Sequence, residues 1–221
     1  MNKYYTIKKI TLLFIIIILS NNIIISQNSE EAVKLLNKVS ENIKSYDNIY
    51  INYTYTLFNL EEDINQINKG SFVTEDDKWK FVMLDVTRIF DGDKLYTISP
   101  DDEEVTISTQ NPDDESTITP NKMLYFYEEG YNFEMDIVQY VGRKKIQYVK
   151  LVPMDSDAEI KYILMGIDVE FNQIYKVIET GINDTQTTIA IIDFEVNLPL
   201  EKSLFVFDKE KYNDYYMNIL D

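Results

Sequence analysis

The stretch from Gly70 to Ser108 constrains the fold more than any other part of the chain. It consists of short runs rich in β-branched and aromatic residues, which are separated by Asp76-Asp77 and by Asp91-Gly92. An Asp-Gly pair between such runs is a strong hairpin signal, because glycine accepts the positive φ that a tight turn requires. The stretch therefore predicts consecutive antiparallel β-strands joined by tight turns.

The rest of the chain continues this mainly β pattern after one amphipathic helix. Ser29 to Lys44 carries an apolar stripe at helical spacing, and Ser29 is suited to cap it. A chain of 221 residues is long enough for one all-β domain, and we expect residues 27–221 to form it. Outside Gly70 to Ser108, the predicted strands are Ile49 to Leu60, Phe133 to Val141, Lys145 to Val152, Lys161 to Glu170, Gln173 to Thr180, Thr187 to Phe194 and Leu204 to Phe207.

A short second helix is predicted at Pro120 to Glu129, and more than half of its surface is apolar. Either it plugs the core or it covers a cavity as a lid, and the sequence leaves both possibilities open. A long antiparallel sheet must close or be covered, so its inner side can enclose a cavity lined by carbon. The candidates to line that cavity, or to face it from the lid, are Phe72, Trp79, Phe81, Met83, Leu95, Met123, Leu124, Phe126 and Tyr127.

Met1 to Ser26 is typical of a secretory signal peptide. Three lysines lie in the segment before its apolar core, which runs from Ile10 to Leu19. Ser26 is a small residue suited to cleavage just before Gln27. The apolar core is short for a membrane span, which takes roughly 20 residues, so cleavage is favoured over a retained anchor. We therefore expect an exported protein that starts at Gln27.

The composition excludes several classes of function. The formal net charge is -17, which argues against nucleic-acid partners and anionic membrane surfaces. A solvated exterior explains that charge, and attraction to a basic partner is the alternative. The chain has no His and no Cys, so it has no Cys nucleophile, no disulfide, no Ser-His-Asp triad and no zinc site built from these residues.

Acidic clusters are the remaining candidates for chemistry, at Asp76-Asp77, at Asp101 to Glu104 and at Asp113 to Glu115. All of them fall in predicted turns, where carboxylates usually bond their own backbone or water. None matches the spaced ligand pattern of a calcium loop, so calcium at one of these turns is only weakly indicated. We expect no enzyme activity, no metal and no cofactor.

The order of these features resembles the LolA family of periplasmic outer-membrane lipoprotein carriers. That family has a signal peptide, an amphipathic helix and strands, followed by a D-G-x-x-L-[WY]-x-[YI]-x-P segment. The corresponding segment here is Asp91 to Pro100, DGDKLYTISP. The helix that opens with Thr119-Pro120 stands where the family has a lid helix. Residues Asn197 to Leu200 and Leu204 to Phe207 resemble the family's closing strand.

The resemblance implies an unclosed antiparallel β-barrel, or half-barrel, with an N-terminal helix and a short lid helix over a hydrophobic cavity. It implies a periplasmic chaperone that carries the acyl chains of lipoproteins from the inner to the outer membrane. The implied partners are acylated lipoproteins, an inner-membrane lipoprotein-releasing ABC transporter and an outer-membrane lipoprotein acceptor, with the carrier acting as a monomer. Well-studied carriers have a basic residue where this chain has Glu75-Asp76-Asp77.

Two other functions stay open on the sequence alone. One is a lipid-sensing regulatory domain, or a general lipid-binding domain, on the same half-barrel. The other is a secreted hydrolase that uses a pair of carboxylates, for which the turn acids are the only evidence. Native mass spectrometry separates these hypotheses, because a carrier is expected to co-purify with acylated cargo.

Overall fold

The structure is a computed structural model and describes residues 29–109, 122 and 124–220. Helix α1 spans residues 29–44. Short 3-10 helices lie at Pro100–Asp102, Lys202–Phe205 and Lys209–Tyr212. The strands are β1 (Asn48–Asn59), β2 (Ile64–Glu75), β3 (Lys78–Met83), β4 (Val86–Phe90), β5 (Lys94–Ser99), β6 (Glu104–Thr109), β7 (Tyr131–Val141), β8 (Lys144–Pro153), β9 (Ile160–Asp168), β10 (Gln173–Gly181), β11 (Gln186–Val196) and β12 (Tyr216–Leu220).

All of these strands belong to one sheet, in the order β12-β6-β5-β4-β3-β2-β1-β11-β10-β9-β8-β7. Each half of the chain is a meander of sequential hairpins, and the two meanders meet where β1 pairs with β11. β12 pairs with β6 in parallel, whereas the other neighbouring strands are antiparallel. β7 and β12 are the two edges, so the sheet is not closed into a barrel. The predicted mainly β half-barrel with an N-terminal helix is confirmed, and the parallel edge strand is an addition to it.

The turn between β4 and β5 shows why this sequence folds into hairpins. Gly92 has a φ of 101°, a conformation in which a side chain would be strained. The Asp91 carboxylate accepts hydrogen bonds from the backbone N–H groups of Asp93 at 2.9 Å and Lys94 at 2.8 Å. Local chemistry alone therefore fixes this reversal of the chain.

Helix α1 packs its apolar stripe against the inner face of the sheet, the face that bears Ile51 and Phe81. Its four buried apolar side chains recur at helical spacing, and they share one hydrophobic core with both meanders. Burying each Leu or Ile side chain contributes roughly 1.5–3 kcal/mol, and together these side chains offset part of the entropy of ordering the helix. The buried stripe consists of Ala32, Leu36, Val39 and Ile43.

The C-terminal segment covers the opposite, outer face of the first meander. Tyr96 of β5 stacks on Phe207 at a centroid distance of 4.7 Å, and Phe207 stacks on Tyr212 at 5.6 Å. These rings close a small second core over Ile98 and Val105. The tyrosine-rich end of the chain is therefore an integral layer of the fold, joined to the sheet edge through β12.

Three of the predicted elements differ clearly from the structure. Leu204 to Phe207 was expected as a strand, but Lys202–Phe205 is a 3-10 helix, because a short apolar run fits either conformation. The closing strand is β12, which pairs with β6 in parallel. No local sequence pattern predicts this pairing. β2 begins at Ile64, before the stretch from Gly70 in which strands were predicted. The second helix, predicted to run to Glu129, does not continue past Leu124, because residues 125–129 form turns and bends.

Across the part of the chain that the structure describes, no helix has the length and apolar character needed to cross a membrane. The predicted signal peptide, residues 1–26, lies outside the described residues, and so does the start of the predicted lid helix at Thr119-Pro120.

Candidate ligand-binding cavity

An apolar cavity of about 400 Å³ lies between the inner face of the sheet and the chain around Leu124. Sites for small ligands commonly measure roughly 300–1,000 Å³. The walls come from β1 and β3 of the first meander and from β7, β9, β10 and β11 of the second. The lining residues are Ile51, Tyr53, Tyr55, Phe81, Met83, Lys122, Leu124, Phe126, Tyr131, Ile163, Ile174, Val177, Glu179, Ile189 and Ile191.

A β-bulge decides which side chains of β10 face the cavity. The pairing of β10 with β9 shifts between Ile174 and Lys176, so Tyr175 is the extra residue. An extra residue moves all later side chains of a strand to the other face. Ile174, Val177 and Glu179 line the cavity as a result.

The cavity floor depends on a close approach between Tyr53 of β1 and Gly70 of β2. The two residues are cross-strand partners, and a Cβ atom at Gly70 would overlap the Tyr53 phenol. The absence of a side chain at Gly70 lets the ring lie flat, where it stacks on Phe81 at a centroid distance of 6.3 Å. The Tyr53 hydroxyl donates to the Val82 carbonyl at 3.4 Å, and burial raises the pKa of this phenol.

A cap segment covers the cavity; we use this term for Lys122, Leu124 and residues 125–128. Lys122 and Leu124 are helical. Leu124 is buried, and it lines the cavity together with the half-buried Phe126. Lys122 is exposed and also borders a surface hollow beside the cap, so it lies at the rim of the cavity.

The cap segment is attached to helix α1 by two polar contacts. The hydroxyls of Tyr127 and Ser40 share a buried hydrogen bond of 2.9 Å. The Lys44 ammonium donates to the Glu128 carboxylate at 3.0 Å, and this bond lowers the pKa of Glu128. Burial raises the pKa of Tyr127 to about 12, so its phenol stays neutral at physiological pH. The cap therefore has one side fixed to the helix and another facing the cavity.

Two polar groups interrupt the apolar lining deep in the second meander. Glu179 lies on β10 between its cross-strand partners Ile163 and Thr187. Burial raises the pKa of its carboxyl group. Burial also raises the pKa of the Tyr131 phenol, and the charge of Glu179 adds to that effect.

The structure separates the sequence-predicted residues into three groups. Phe81, Met83, Leu124 and Phe126 line the cavity. Phe72, Trp79 and Leu95 are buried in the adjoining packed core, while Tyr127 is buried as the anchor to α1. Met123 lies outside the described residues. Whether any of these side chains contacts an acyl chain stays a prediction.

Sequence reasoning missed most of the wall that the second meander supplies. Ile189 and Ile191 show a clear two-residue alternation, which could have been read as an inner face. Glu179 gave no usable signal, because a single acid in a strand usually faces water. On β10 the bulge also reverses the two-residue alternation, so counting along the strand assigns the later side chains to the wrong face.

The described residues include no group of Asp and Glu side chains placed to hold a metal ion. Asp76-Asp77 lie in a turn and Asp101-Asp102 in a 3-10 helix, and neither pair lines the cavity. Residues 113–115 lie outside the described part of the chain. The arrangement that the structure does show can shield an apolar ligand from water.

Comparison with solved structures supports the fold. An uncharacterised conserved protein from Thermus thermophilus aligns with a TM-score of 0.54 at 8% identity, over 86% of this chain and 99% of that one. MucB aligns with a TM-score of 0.51 at 11% identity, over 82% of this chain and 64% of that one. A LolA superfamily protein from Nitrosomonas europaea aligns with a TM-score of 0.41 at 9% identity, over 80% of this chain and 98% of that one.

At such low identities these likenesses show the fold alone, and the shared fold agrees with the half-barrel that the sequence resemblance implied. No protein-family model matches the chain, and no curated protein sequence matches it.

Proposed function

We propose that this protein is a periplasmic carrier that binds the acyl chains of lipoproteins and moves them from the inner to the outer membrane. The observation that carries the proposal is the apolar cavity enclosed by the half-barrel and the cap segment. Aliphatic and aromatic side chains dominate its lining, so transferring an acyl chain into it from water is favourable by roughly 0.8 kcal/mol per CH₂ group.

The cavity lining is suited to binding a ligand and not to catalysing a reaction. The protein has no His and no Cys, and the lining, as far as the structure describes it, offers a single carboxyl group rather than a pair. Acid catalysis of hydrolysis by carboxylates uses two of them. The proposed role is therefore that of a binding protein and not of an enzyme.

Several parts of the proposal come from the LolA-like resemblance. Residues 1–26 act as a signal peptide, and residues 27–221 form the mature periplasmic domain. An inner-membrane ABC transporter loads the lipoprotein, and an outer-membrane acceptor receives it. The acyl chains travel in the cavity, shielded from water by the cap segment.

Adjacent residues on β10 provide a matched test. Val177 lines the cavity, whereas Ile178 lies next to it on the opposite face of the sheet. We expect Val177→Gln to weaken binding of a fluorescent acyl probe, since the amide would meet the chain without a partner. Ile178→Gln should leave binding close to that of the wild type.

Native mass spectrometry of the protein taken from the periplasm tests the cargo. The proposal predicts a bound acylated lipoprotein that Val177→Gln loses and Ile178→Gln retains. Recovery of free lipids with no lipoprotein would favour a general lipid-binding domain. Equal probe binding by both variants would place the ligand elsewhere.

A further inference from the structure

We propose that Glu179 is a polar anchor inside the cavity and that the ligand presents an N–H donor next to its acyl chain. This inference rests on the proposed function, and it specifies which amphiphiles the cavity accepts. It starts from the position of Glu179, whose side chain lines the cavity beside Val177 and opposite Tyr131.

The surroundings of Glu179 are mostly apolar, although its direct partner on β11 is Thr187. Ile163 is its partner on β9, Val177 precedes it on the same face of β10, and Ile189 lines the cavity from β11. The side chain is half-buried. A carboxyl group in such a place is costly to desolvate unless something bonds to it.

Within the described residues, nothing donates a hydrogen bond to Glu179 and no cation pairs with it. Other carboxylates of the fold do have such partners. Glu128 accepts from Lys44 at 3.0 Å, and Glu104 accepts from Thr106 at 2.8 Å and from Asn218 at 3.0 Å. The partner that Glu179 lacks among the residues the structure describes is one that a ligand in the cavity can supply.

The chemistry of a carboxyl group decides what that ligand is. In either protonation state it has an oxygen that accepts an N–H bond, and in the ionised state both oxygens accept. An anionic ligand group would be repelled or would force Glu179 to take up a proton. The cavity therefore favours an ammonium or an amide over a carboxylate or a phosphate beside the chain.

An acylated polypeptide presents this chemistry. Where an acyl chain is attached at a chain terminus, the nearest polar groups are backbone amides or the terminal amine. Both are N–H donors, and Glu179 would bond to either one. A free fatty acid presents an anion at the same place. Glu179 would then select acylated polypeptide over the free lipids that the apolar walls accept equally well.

Displacement of a fluorescent acyl probe from the purified protein tests this inference with ligands of one chain length. Dodecylamine carries a cationic donor, N-dodecylacetamide a neutral donor, methyl dodecanoate only acceptors, and dodecanoate an anion. We expect the wild type to bind both N–H ligands about tenfold more tightly than the methyl ester. Dodecanoate should bind most weakly.

Two substitutions separate the sources of the N–H group. Glu179→Leu removes every acceptor, so both N–H ligands should lose about tenfold in affinity while the methyl ester gains. Glu179→Gln keeps one acceptor but no charge. Loss of dodecylamine alone in this variant identifies an ammonium as the preferred group, whereas retention of both N–H ligands identifies an amide. Glu195→Gln, at an exposed position of β11, controls for the change in net charge.

Two results would overturn the inference. One is a wild type that binds methyl dodecanoate as tightly as both N–H ligands. The other is a Glu179→Leu variant whose preference is unchanged. Failure of the proposed function looks different, because then neither the acyl probe nor any of the four ligands binds.

Discussion

The phenol of Tyr127 and the hydroxyl of Ser40 lie 2.9 Å apart in a buried hydrogen bond that joins the cap segment to helix α1. Tyr127 is 1% exposed and Ser40 is 6% exposed, so water does not compete for the bond. The placement of Leu124 and Phe126 against the cavity thus depends on a contact that is made outside the cavity.

Breaking this bond from the two sides should have unequal effects. Ser40→Ala strands the buried phenol of Tyr127, and we expect it to lower the free energy of unfolding by about 1–3 kcal/mol. Tyr127→Phe should cost less, because the Ser40 hydroxyl also bonds to Glu128. Urea unfolding measures both values.

A double-mutant cycle completes this test. In the Tyr127→Phe background, Ser40→Ala strands no phenol, and alanine is the better helix former. The substitution should then cost clearly less than in the wild type, because the only polar partner that it removes is the Ser40 contact to Glu128. An equal cost in both backgrounds would mean that the two hydroxyls are not coupled.

Leu124→Glu should reduce acyl binding more than it reduces stability. Leu124 is buried against the cavity, and losing its burial costs roughly 1.5–3 kcal/mol, which a domain of ordinary stability tolerates. A carboxylate at the same place must either be desolvated against the acyl chain or hold the cavity open to water. The thermal midpoint and the transfer of an acylated probe are measured together. Outright unfolding would identify Leu124 as ordinary core.

Gly70→Ala should displace the Tyr53 ring that forms the cavity floor. The added methyl group would overlap the Tyr53 ring and come within 2.7 Å of the Val82 carbonyl oxygen. We expect a loss of about 1–3 kcal/mol in stability from overpacking, together with weaker probe binding as the ring moves. Gly181→Ala is the control, because the only close contact of its methyl group, at 2.9 Å, would be with the exposed Asn183 side chain, while the backbone oxygens of Thr185 and Glu159 lie at ordinary contact distances. Unchanged probe binding by Gly70→Ala would show that Tyr53 does not shape the cavity.

Glu179→Gln should stabilise the empty protein at neutral pH. Burial raises the folded-state pKa of Glu179 above its ordinary value, so the folded state binds more protons than the unfolded state does. The stability of the wild type therefore falls as the pH rises above about 4.5, the ordinary value for Glu, whereas Gln does not titrate. Among its neighbours, Tyr131 stays neutral over this range, and Lys122 is the other charged residue of the lining.

Thermal unfolding of Glu179→Gln and of the wild type between pH 4 and pH 8 checks this expectation. The advantage of the variant should shrink as the pH falls. The exposed Glu195→Gln serves as a control for charge. An advantage that grows on acidification would show that the Glu179 carboxylate is stabilised in the folded state.

Much of the fold is local and was therefore predictable. The Asp91-Gly92 reversal forms from its own side chain and its own backbone, so no distant part of the chain is needed to identify it. Alternation likewise placed Trp79 and Phe81 on one face of β3. It could not show that Phe81 lines a cavity while Trp79 packs against Phe90 at a centroid distance of 6.1 Å. That difference depends on where α1 and the cap segment rest on the sheet.

The β10 wall was hidden for a more specific reason. Counting in twos from Ile174 assigns Lys176 and Ile178 to the inner face. The bulge at Tyr175 reverses this count and turns Val177 and Glu179 inward. A bulge is a property of the pairing between two strands, so neither strand reveals it alone.

The pairing of β1 with β11 also sets the order in which this protein can acquire its cavity. Each meander consists of hairpins between neighbouring segments, which close small loops and form quickly. The pairing of Ile51 with Phe194 instead joins segments from the two ends of the domain, at a larger cost in chain entropy. Because Phe81 stands on one side of that seam and Ile163 on the other, a chain in which both meanders are complete but unjoined has nowhere to hold a ligand. We therefore expect ligand binding only after this long-range pairing has formed, so that probe binding would report when the two meanders join.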